Sequence, residues 1–118
     1  MESLVVHLCN LYDTKAGQLH KVLDNLKGAR RHCFIKLLQS LELYVVGSNR
    51  QITFSGLSVR DTARQTMYPY SPMKVLKYYQ EQLKTELHFI DLPCIIMVSA
   101  NNVEYFPFEV LYVKINVQ

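Results

Sequence analysis

The chain has 118 residues, of which 49% are hydrophobic and 19% are charged. This length suits one ordinary domain, and the composition excludes an intrinsically disordered chain because enough apolar surface is present to form a core. The formal net charge of +3 permits a nucleic-acid or acidic partner but is too small to require one.

Cysteine spacing and hydropathy exclude several further classes of protein. Three cysteines without clustered spacing argue against a disulfide framework and favour a reducing compartment, so we expect a cytoplasmic or nuclear protein. The pairs His7/Cys9 and His32/Cys33 lack the spacing of zinc ligands, and we expect no metal and no cofactor. No signal peptide and no apolar run of bilayer-spanning length is visible, so we expect no membrane partner.

Three helices are predicted in the first third of the chain. Apolar residues recur at helical spacing over residues 2–12, 18–26 and 29–39. Arg30 and Arg31 lie off the apolar face of the third helix, and we interpret them as a solvated face, with an RNA site as the alternative. That apolar face comprises Cys33, Phe34, Leu37 and Leu38.

The period changes to that of strands near residue 41. Alternation predicts a strand over 41–45, the Gly-Ser-Asn at 47–49 predicts a turn, and a second strand over 51–59 completes a hairpin. The Ser-Gly at 55–56 suggests a β-bulge in this second strand. A short third strand is predicted over 64–68.

A fourth helix and three more strands are predicted in the remainder. Ser71 is a favoured N-cap and Pro72 suits the first helical position. Tyr78 falls off the apolar stripe of this helix, which comprises Val75, Leu76, Tyr79 and Leu83. The strands cover 94–98, 105–108 and 110–117, with a turn at Asn101 and Asn102 between the first two.

This order of elements predicts a mixed α/β chain that is mainly β. Runs of short strands with few helices favour a small barrel. We expect residues 1–118 to form a single domain. Because the chain stops in a strand-like segment, we also expect that this domain was excised from a longer protein.

Signatures of catalysis are missing from the sequence. There is no G-x-S-x-G, no phosphate-binding Walker loop and no H-E-x-x-H. The acidic residues are spread singly, which suggests no carboxylate pair for acid–base work. We therefore expect that the chain is not an enzyme.

Aromatic residues are the informative class. The chain has eight Tyr and five Phe, and several stand beside cations, as Tyr78 stands beside Lys77. Unstacked RNA bases bind aromatic faces, while cations and hydroxyls bind phosphates. The alternative is that these rings fill the core or its rim, which composition alone favours.

Four segments resemble motifs of PAZ domains. The pair L-P-C-I at Leu92–Ile95 and E-Y-F-P-F-E-V at Glu104–Val110 is similar to the closing signature of that family. Val75–Tyr79 resembles the helix motif V-x-x-Y-F, and Gln65–Pro69 resembles a Q-T-F-P strand with one residue inserted. The resemblance extends over nearly the whole chain and favours the Argonaute/Piwi version of the domain.

The resemblance implies both a fold and a function. The PAZ fold is an OB-like β-barrel with N-terminal helices and an inserted hairpin–helix module that closes over a cleft. In the family this cleft binds the 3′ end of a small single-stranded guide RNA without sequence selectivity, which anchors the guide in an RNA-silencing effector. The implied partners are this RNA and the other domains of an Argonaute-like parent protein, and we expect a monomer.

The resemblance also implies which residues contact the RNA. Tyr78 matches the tyrosine that binds the terminal phosphodiester, and Tyr105 matches the tyrosine of the closing motif. Phe106 stands where a leucine meets the ribose. Tyr68 matches a phenylalanine that packs on the terminal base, or Met67 does if the insertion falls after it. The complete implied set is Arg50, Tyr68, Lys77, Tyr78, Tyr105 and Phe106.

Several positions depart from the family pattern. Ile52 replaces a hairpin tyrosine, Leu83 replaces a second helix tyrosine, and Asn102 replaces a lysine. A hydrogen bond to a charged oxygen contributes roughly 1.5–3 kcal/mol, so such losses weaken RNA binding. The alternative function is therefore a divergent PAZ domain with weak or lost RNA binding that acts as a structural or protein-interaction module.

Overall fold

A computed structural model describes residues 2–66 and 73–114, which form two compact units. Unit 1 contains the described residues of Met1–Phe54 and Val110–Gln118, and unit 2 contains the described residues of Ser55–Glu109. Unit 2 is therefore inserted in the chain between the two segments of unit 1. Within the described ranges, no helix is long and apolar enough to cross a membrane.

The three predicted N-terminal helices are present in unit 1. They are α1 (Leu4–Leu11), α2 (Leu19–Asp24, preceded by a 3-10 turn at Ala16–Gln18) and α3 (Ala29–Ser40). Each buries leucines or phenylalanine at the predicted helical spacing, and the buried set includes Leu4, Leu8, Leu19, Leu23, Phe34 and Leu38.

One face of α3 differs from the prediction. Cys33 is exposed, because it precedes Phe34 by one residue and is rotated by about 100° from it around the helix axis. Phe34 and Leu38 alone form the buried line of α3. Gly28 precedes the helix with φ of 59°, a backbone conformation that glycine adopts without a Cβ clash.

Unit 1 contains a four-stranded antiparallel sheet in the order β1-β7-β2-β3. Leu43 lies opposite both Val113 and Ile52 across the strands, and all three side chains are buried. The adjacent register row contains Tyr44, Tyr112 and Gln51. The strands are β1 (Glu2–Ser3), β2 (Leu43–Val45), β3 (Gln51–Ile52) and β7 (Leu111–Val113).

The β2–β3 hairpin confirms the predicted turn. Gly47 has φ of 77°, and the amide of Ser48 donates to the carbonyl oxygen of Val45 at 3.1 Å. The prediction of one second strand over 51–59 was wrong, because the chain changes sheets after Ile52. Ser55 already contacts the other sheet, because its amide donates to the carbonyl oxygen of Ile96 at 2.8 Å.

Unit 2 contains a three-stranded antiparallel sheet in the order β4-β5-β6. The β5–β6 hairpin turns at Ala100 and Asn101, so Asn102 pairs with Ser99 at the start of β6. The bulge lies between Leu57 and Asp61 and not at 55–56. The strands are β4 (Gly56–Asp61), β5 (Pro93–Ser99) and β6 (Asn102–Pro107).

The mixed α/β class is confirmed, but the strands described here form two separate sheets and no closed barrel. In the first sheet the edges are β1 and β3. Each is only two residues long, which offers few backbone groups for further pairing.

Two further strand predictions are corrected. Arg64 lies in a turn, Gln65 is not part of a strand, and Thr66 forms an isolated bridge to Lys74. Residues 67–68 of the predicted 64–68 strand lie outside the described residues. Val110 belongs to a 3-10 turn (Phe108–Val110) that precedes β7, and residues 115–117 also lie outside the described part of the chain.

Candidate nucleic-acid interface

The helix of unit 2 carries two of the predicted RNA-binding residues. Its α-helical part, α4 (Val75–Lys77), continues into a π-helical turn (Tyr78–Gln82). The amide of Leu83 donates to the carbonyl oxygen of Tyr78, five residues earlier, at 3.2 Å. Ser71 and Pro72, predicted to start this helix, lie outside the described residues.

The π-helical turn changes which side chains are buried. A wider turn rotates the residues that follow it, so Leu83 no longer aligns with Tyr79 four positions earlier. Leu83 is 47% exposed, and its prediction as part of the buried stripe was wrong. Val75 and Tyr79 are buried as predicted, and Tyr78 is half-buried.

Tyr79 fixes this turn to the sheet of unit 2. Its hydroxyl donates a hydrogen bond to the backbone carbonyl oxygen of Tyr105 at 3.0 Å. Its own carbonyl oxygen accepts from the amide of Thr85 at 2.8 Å. Because the side chain is only 7% exposed, water competes little for the hydroxyl, and the bond restrains the turn relative to β6.

Tyr78 rests against Tyr79. The two ring centroids are 5.7 Å apart with an interplanar angle of 85°, which is the favourable edge-to-face arrangement. Tyr78 therefore has a neighbour that restricts its ring while part of its surface remains open to solvent. Lys77, next to it, is exposed.

Tyr105 and Phe106 are consecutive residues of β6, so their side chains point to opposite faces of the sheet. They pair with Ile96 and Ile95 of β5, and their exposed fractions are 9% and 4%. The closing motif thus contributes side chains that are nearly covered in the free protein. Of the implied RNA-binding set, Tyr78 is linked to Tyr105 through Tyr79 within one unit.

The two remaining members of the implied set are Arg50 and Tyr68. Arg50 is an exposed residue of the β2–β3 turn in unit 1, where its amide donates to the hydroxyl of Ser48 at 2.9 Å. Tyr68 and its alternative Met67 lie outside the described residues. The roles of all these residues in RNA binding stay predictions.

The end of the closing motif fixes a loop of unit 2. The carboxylate of Glu109 accepts hydrogen bonds from the amide of His88 at 2.9 and 3.0 Å and from the amide of Phe89 at 2.8 Å. A charged acceptor strengthens such bonds. Glu109 therefore holds the segment that leads into β5, a role that the motif alone did not reveal.

A tyrosine pair in unit 1 was missed by the sequence analysis. Tyr44 and Tyr112 face each other across β2 and β7, with ring centroids 5.5 Å apart and an interplanar angle of 14°. The hydroxyl of Tyr112 donates to the carbonyl oxygen of Ser48 at 3.3 Å. Such cross-strand pairs stabilise sheets. The alternation of Tyr112 with the apolar Leu111 and Val113 was the sequence pattern that could have predicted that Tyr112 faces away from the core.

The three departures from the family pattern have different environments. Ile52 is buried in the sheet of unit 1. Leu83 and Asn102 are exposed, the first after the π-helical turn and the second beside the β5–β6 turn. The hydrophobic Ile52 thus contributes to packing, whereas the other two positions leave solvent-accessible side chains without a hydroxyl or a charge.

No group of three His, Cys, Asp or Glu side chains that could hold a metal ion is present in residues 2–66 and 73–114. Burial raises the pKa of the Cys94 thiol to about 11, so this thiol is a poor nucleophile at neutral pH.

Comparison with known proteins supports the fold alone. No family model matches the sequence, and no curated protein matches it either. The structure is similar to that of the PAZ domain of Drosophila Argonaute2, with a TM-score of 0.74 and 14% sequence identity. That domain has been characterised as binding nucleic acid. The match covers 97% of this chain and 99% of that domain. The chain therefore has the PAZ fold.

Proposed function

We propose that this chain binds the 3′ end of a small single-stranded guide RNA, without sequence selectivity, as the anchoring domain of an RNA-silencing effector. The observation that carries the proposal is the half-buried ring of Tyr78, which packs edge-to-face against Tyr79. Tyr79 is in turn hydrogen-bonded to Tyr105, in the motif that most resembles the PAZ family. A nucleic-acid-binding PAZ domain with the same fold supports it.

The chemistry of this segment suits a terminal nucleotide. Tyr78 combines a ring face for a base or ribose with a hydroxyl that donates to phosphodiester oxygens, and Lys77 adds a positive charge beside it. Stacking on an aromatic ring contributes roughly 1–3 kcal/mol per base and does not depend on base identity. Binding of this kind is therefore insensitive to sequence.

The proposal extends to the biological setting. We infer that residues 1–118 act as one RNA-binding domain of a longer Argonaute-like protein, monomeric and cytoplasmic or nuclear. Any cleavage of RNA by that protein is carried out by another of its domains. This chain contributes binding and no catalytic step.

A second candidate function is a structural or protein-interaction module that has lost RNA binding. It is favoured by Ile52, Leu83 and Asn102, which supply neither the hydroxyls nor the charge expected from the family. It predicts that the fold persists while affinity for RNA is absent.

Competition between RNA oligonucleotides tests the first candidate. We expect an oligonucleotide with a free 3′ hydroxyl to bind with a Kd of about 1 μM or weaker, and the same oligonucleotide with a 3′-phosphate to compete less well. Scrambled sequences of equal length should compete equally. Equal competition by the free and phosphorylated 3′ ends contradicts a 3′-end site, and no binding of either RNA by a folded chain favours the second candidate.

A further inference from the structure

Positive charge is distributed unequally between the two units. The segments 1–54 and 110–118 of unit 1 carry eight Lys and Arg against four Asp and Glu, whereas unit 2, 55–109, carries five against six. The basic character of the chain therefore belongs to unit 1. Of the residues proposed to bind the 3′ end, Lys77, Tyr78 and Tyr105 belong to the other unit, whereas Arg50 belongs to unit 1.

Three cations of unit 1 form a cluster that we call the α3 basic cluster. It consists of Lys27, Arg30 and Arg31, which lie within five residues at the start of α3 and are all exposed. Within residues 2–66 and 73–114, the ion pairs involve other cations, as in the pair of Arg64 with Asp61. Lys27, Arg30 and Arg31 form no ion pair with a carboxylate of the described residues.

Helix stabilisation does not explain this placement. The amino end of a helix carries a partial positive charge, so cations there are unfavourable by about 0.3–1 kcal/mol each, and acidic side chains are preferred. The first turn of α3 contains no acidic residue. Arg30 and Arg31, which lie in the first turn of α3, therefore do not stabilise the helix through its dipole.

We propose that the α3 basic cluster is a second RNA-binding surface that contacts the phosphodiester backbone of single-stranded RNA, independently of the 3′ end. Arginine guanidinium groups bind phosphate oxygens through two parallel hydrogen bonds, and backbone contacts of this kind carry no sequence information. Through this surface the domain contacts nucleotides other than the terminal one. These contacts replace the phosphate-binding groups that are missing at Leu83 and Asn102.

The surroundings of the cluster favour a nucleic acid over other anionic partners. The large hydrophobic side chains that the structure exposes in its described residues all lie outside α3; they are Val6, Leu11, Val46, Val59, Leu83 and Val98. A helix that inserts into a lipid interface needs such side chains on its surface. Stable protein interfaces likewise depend on aromatic or aliphatic anchors. A purely electrostatic surface instead suits a flexible polyanion.

A charge-neutralising variant tests the surface. The variant Lys27→Gln/Arg30→Gln/Arg31→Gln is compared with Lys36→Gln, which removes an exposed cation of the same helix on a different side. Affinities are measured from about 50 to 200 mM salt for an RNA of about 20 nucleotides and one of about 4, each nucleotide adding one phosphate.

We expect the triple variant to lose about 10- to 100-fold in affinity for the longer RNA near 0.1 M salt. The slope of log affinity against log salt concentration should become smaller in magnitude by about 2, because each lost phosphate contact removes roughly 0.7 on a single strand. Its binding to the shorter RNA and its preference for a free 3′ end should remain. Lys36→Gln should leave the slope unchanged, because a cation that contacts no phosphate releases no counterion on binding.

Three outcomes overturn the proposal. They are an unchanged slope in the triple variant, a slope smaller by about 0.7 in Lys36→Gln, which is the same loss per charge, and binding of phosphatidylserine vesicles or a poly-glutamate peptide as tight as that of RNA. A circular dichroism melt excludes unfolding, because removal of the cations should leave the Tm unchanged or raise it. Since the 3′-phosphate comparison is made separately, failure of the 3′-end site and failure of this surface give different results.

Discussion

The hydroxyl of Tyr79 donates to the backbone carbonyl oxygen of Tyr105 across 3.0 Å. The residue at this position of the PAZ helix motif is phenylalanine, so the hydrogen bond is a feature of this chain beyond the motif. It connects the π-helical turn that carries Tyr78 to the strand that carries the closing motif. Tyr79 is therefore a positioning residue for the proposed 3′-end site.

Replacement of Tyr79 by Phe removes this bond and retains the ring. We expect the free energy of unfolding to fall by about 1–2 kcal/mol, because a buried carbonyl oxygen loses a donor. Urea denaturation followed by circular dichroism measures the change. Tyr44→Phe is the matched control, since the hydroxyl of Tyr44 is exposed and only weakly bonded to Glu42 at 3.5 Å. An equal effect of the two variants would refute the assignment.

Tyr78→Ala should weaken RNA binding more than Lys77→Ala. Removal of a stacking ring costs roughly 1–3 kcal/mol per base, whereas an exposed cation contributes about one phosphate contact that salt screens. Fluorescence anisotropy with a labelled RNA compares the two variants, and we expect the order to persist for Tyr68→Ala. Unaffected binding in the tyrosine variants together with a strong effect of Lys77→Ala would indicate a general polyanion surface and exclude the stacking site.

Glu109→Gln should loosen the loop that leads into β5. The carboxylate accepts from the amides of His88 and Phe89, and charge-assisted bonds are about twice as strong as neutral ones. We expect a loss of about 1–3 kcal/mol in the free energy of unfolding and faster hydrogen exchange at these two amides. Glu81→Gln, an exposed acidic residue of the same unit, serves as the control. Unchanged exchange at both amides would show that the carboxylate does not hold the loop.

Alkaline pH should destabilise the protein through Cys94. Burial raises the pKa of its thiol from an ordinary value of 9.0 to about 11, so the unfolded chain loses this proton first. The stabilising contribution is complete below about pH 9 and is lost as the pH rises towards 11, with an upper limit of about 2–3 kcal/mol. Thermal melts across this range measure the loss.

Cys94→Ser supplies the control for the alkaline series. Serine keeps a group near Thr62, whose hydroxyl lies 3.3 Å from the thiol, but does not titrate in this range. Burial also raises the pKa of Cys9 and Tyr12, so the serine variant retains part of the pH dependence. An identical loss of stability in both proteins would assign the whole effect to those other groups.

Sequence patterns correctly predicted the helices and the hairpin whose residues lie close together in the chain. The helices α1 to α3 follow from apolar spacing, and the β5–β6 hairpin follows from alternation around Asn101. The split of 51–59 was not predictable in this way, because alternation is the same whether a strand stays in one sheet or enters another. Ile52 and Leu57 look equivalent in sequence yet belong to different sheets.

The candidate site was predictable as a set of residue types but not as a set of contacts. The motif pointed to Tyr78 and Tyr105, whereas the bond between Tyr79 and Tyr105 joins residues 26 positions apart. Only the folded chain brings these groups together. The π-helical turn escaped prediction for a related reason: one extra residue in a turn leaves the composition of the helix unchanged.

The position of β7 in the chain has a consequence for synthesis on the ribosome. β7 (Leu111–Val113) pairs with both β1 and β2, yet it is translated after all of unit 2. The sheet of unit 1 therefore stays incomplete until the last strand emerges from the exit tunnel, while all strands of the unit 2 sheet are already available. The nascent chain must hold β1 and β2 unpaired with β7 for the entire translation of the inserted unit, and in that interval their open edges are exposed to aggregation.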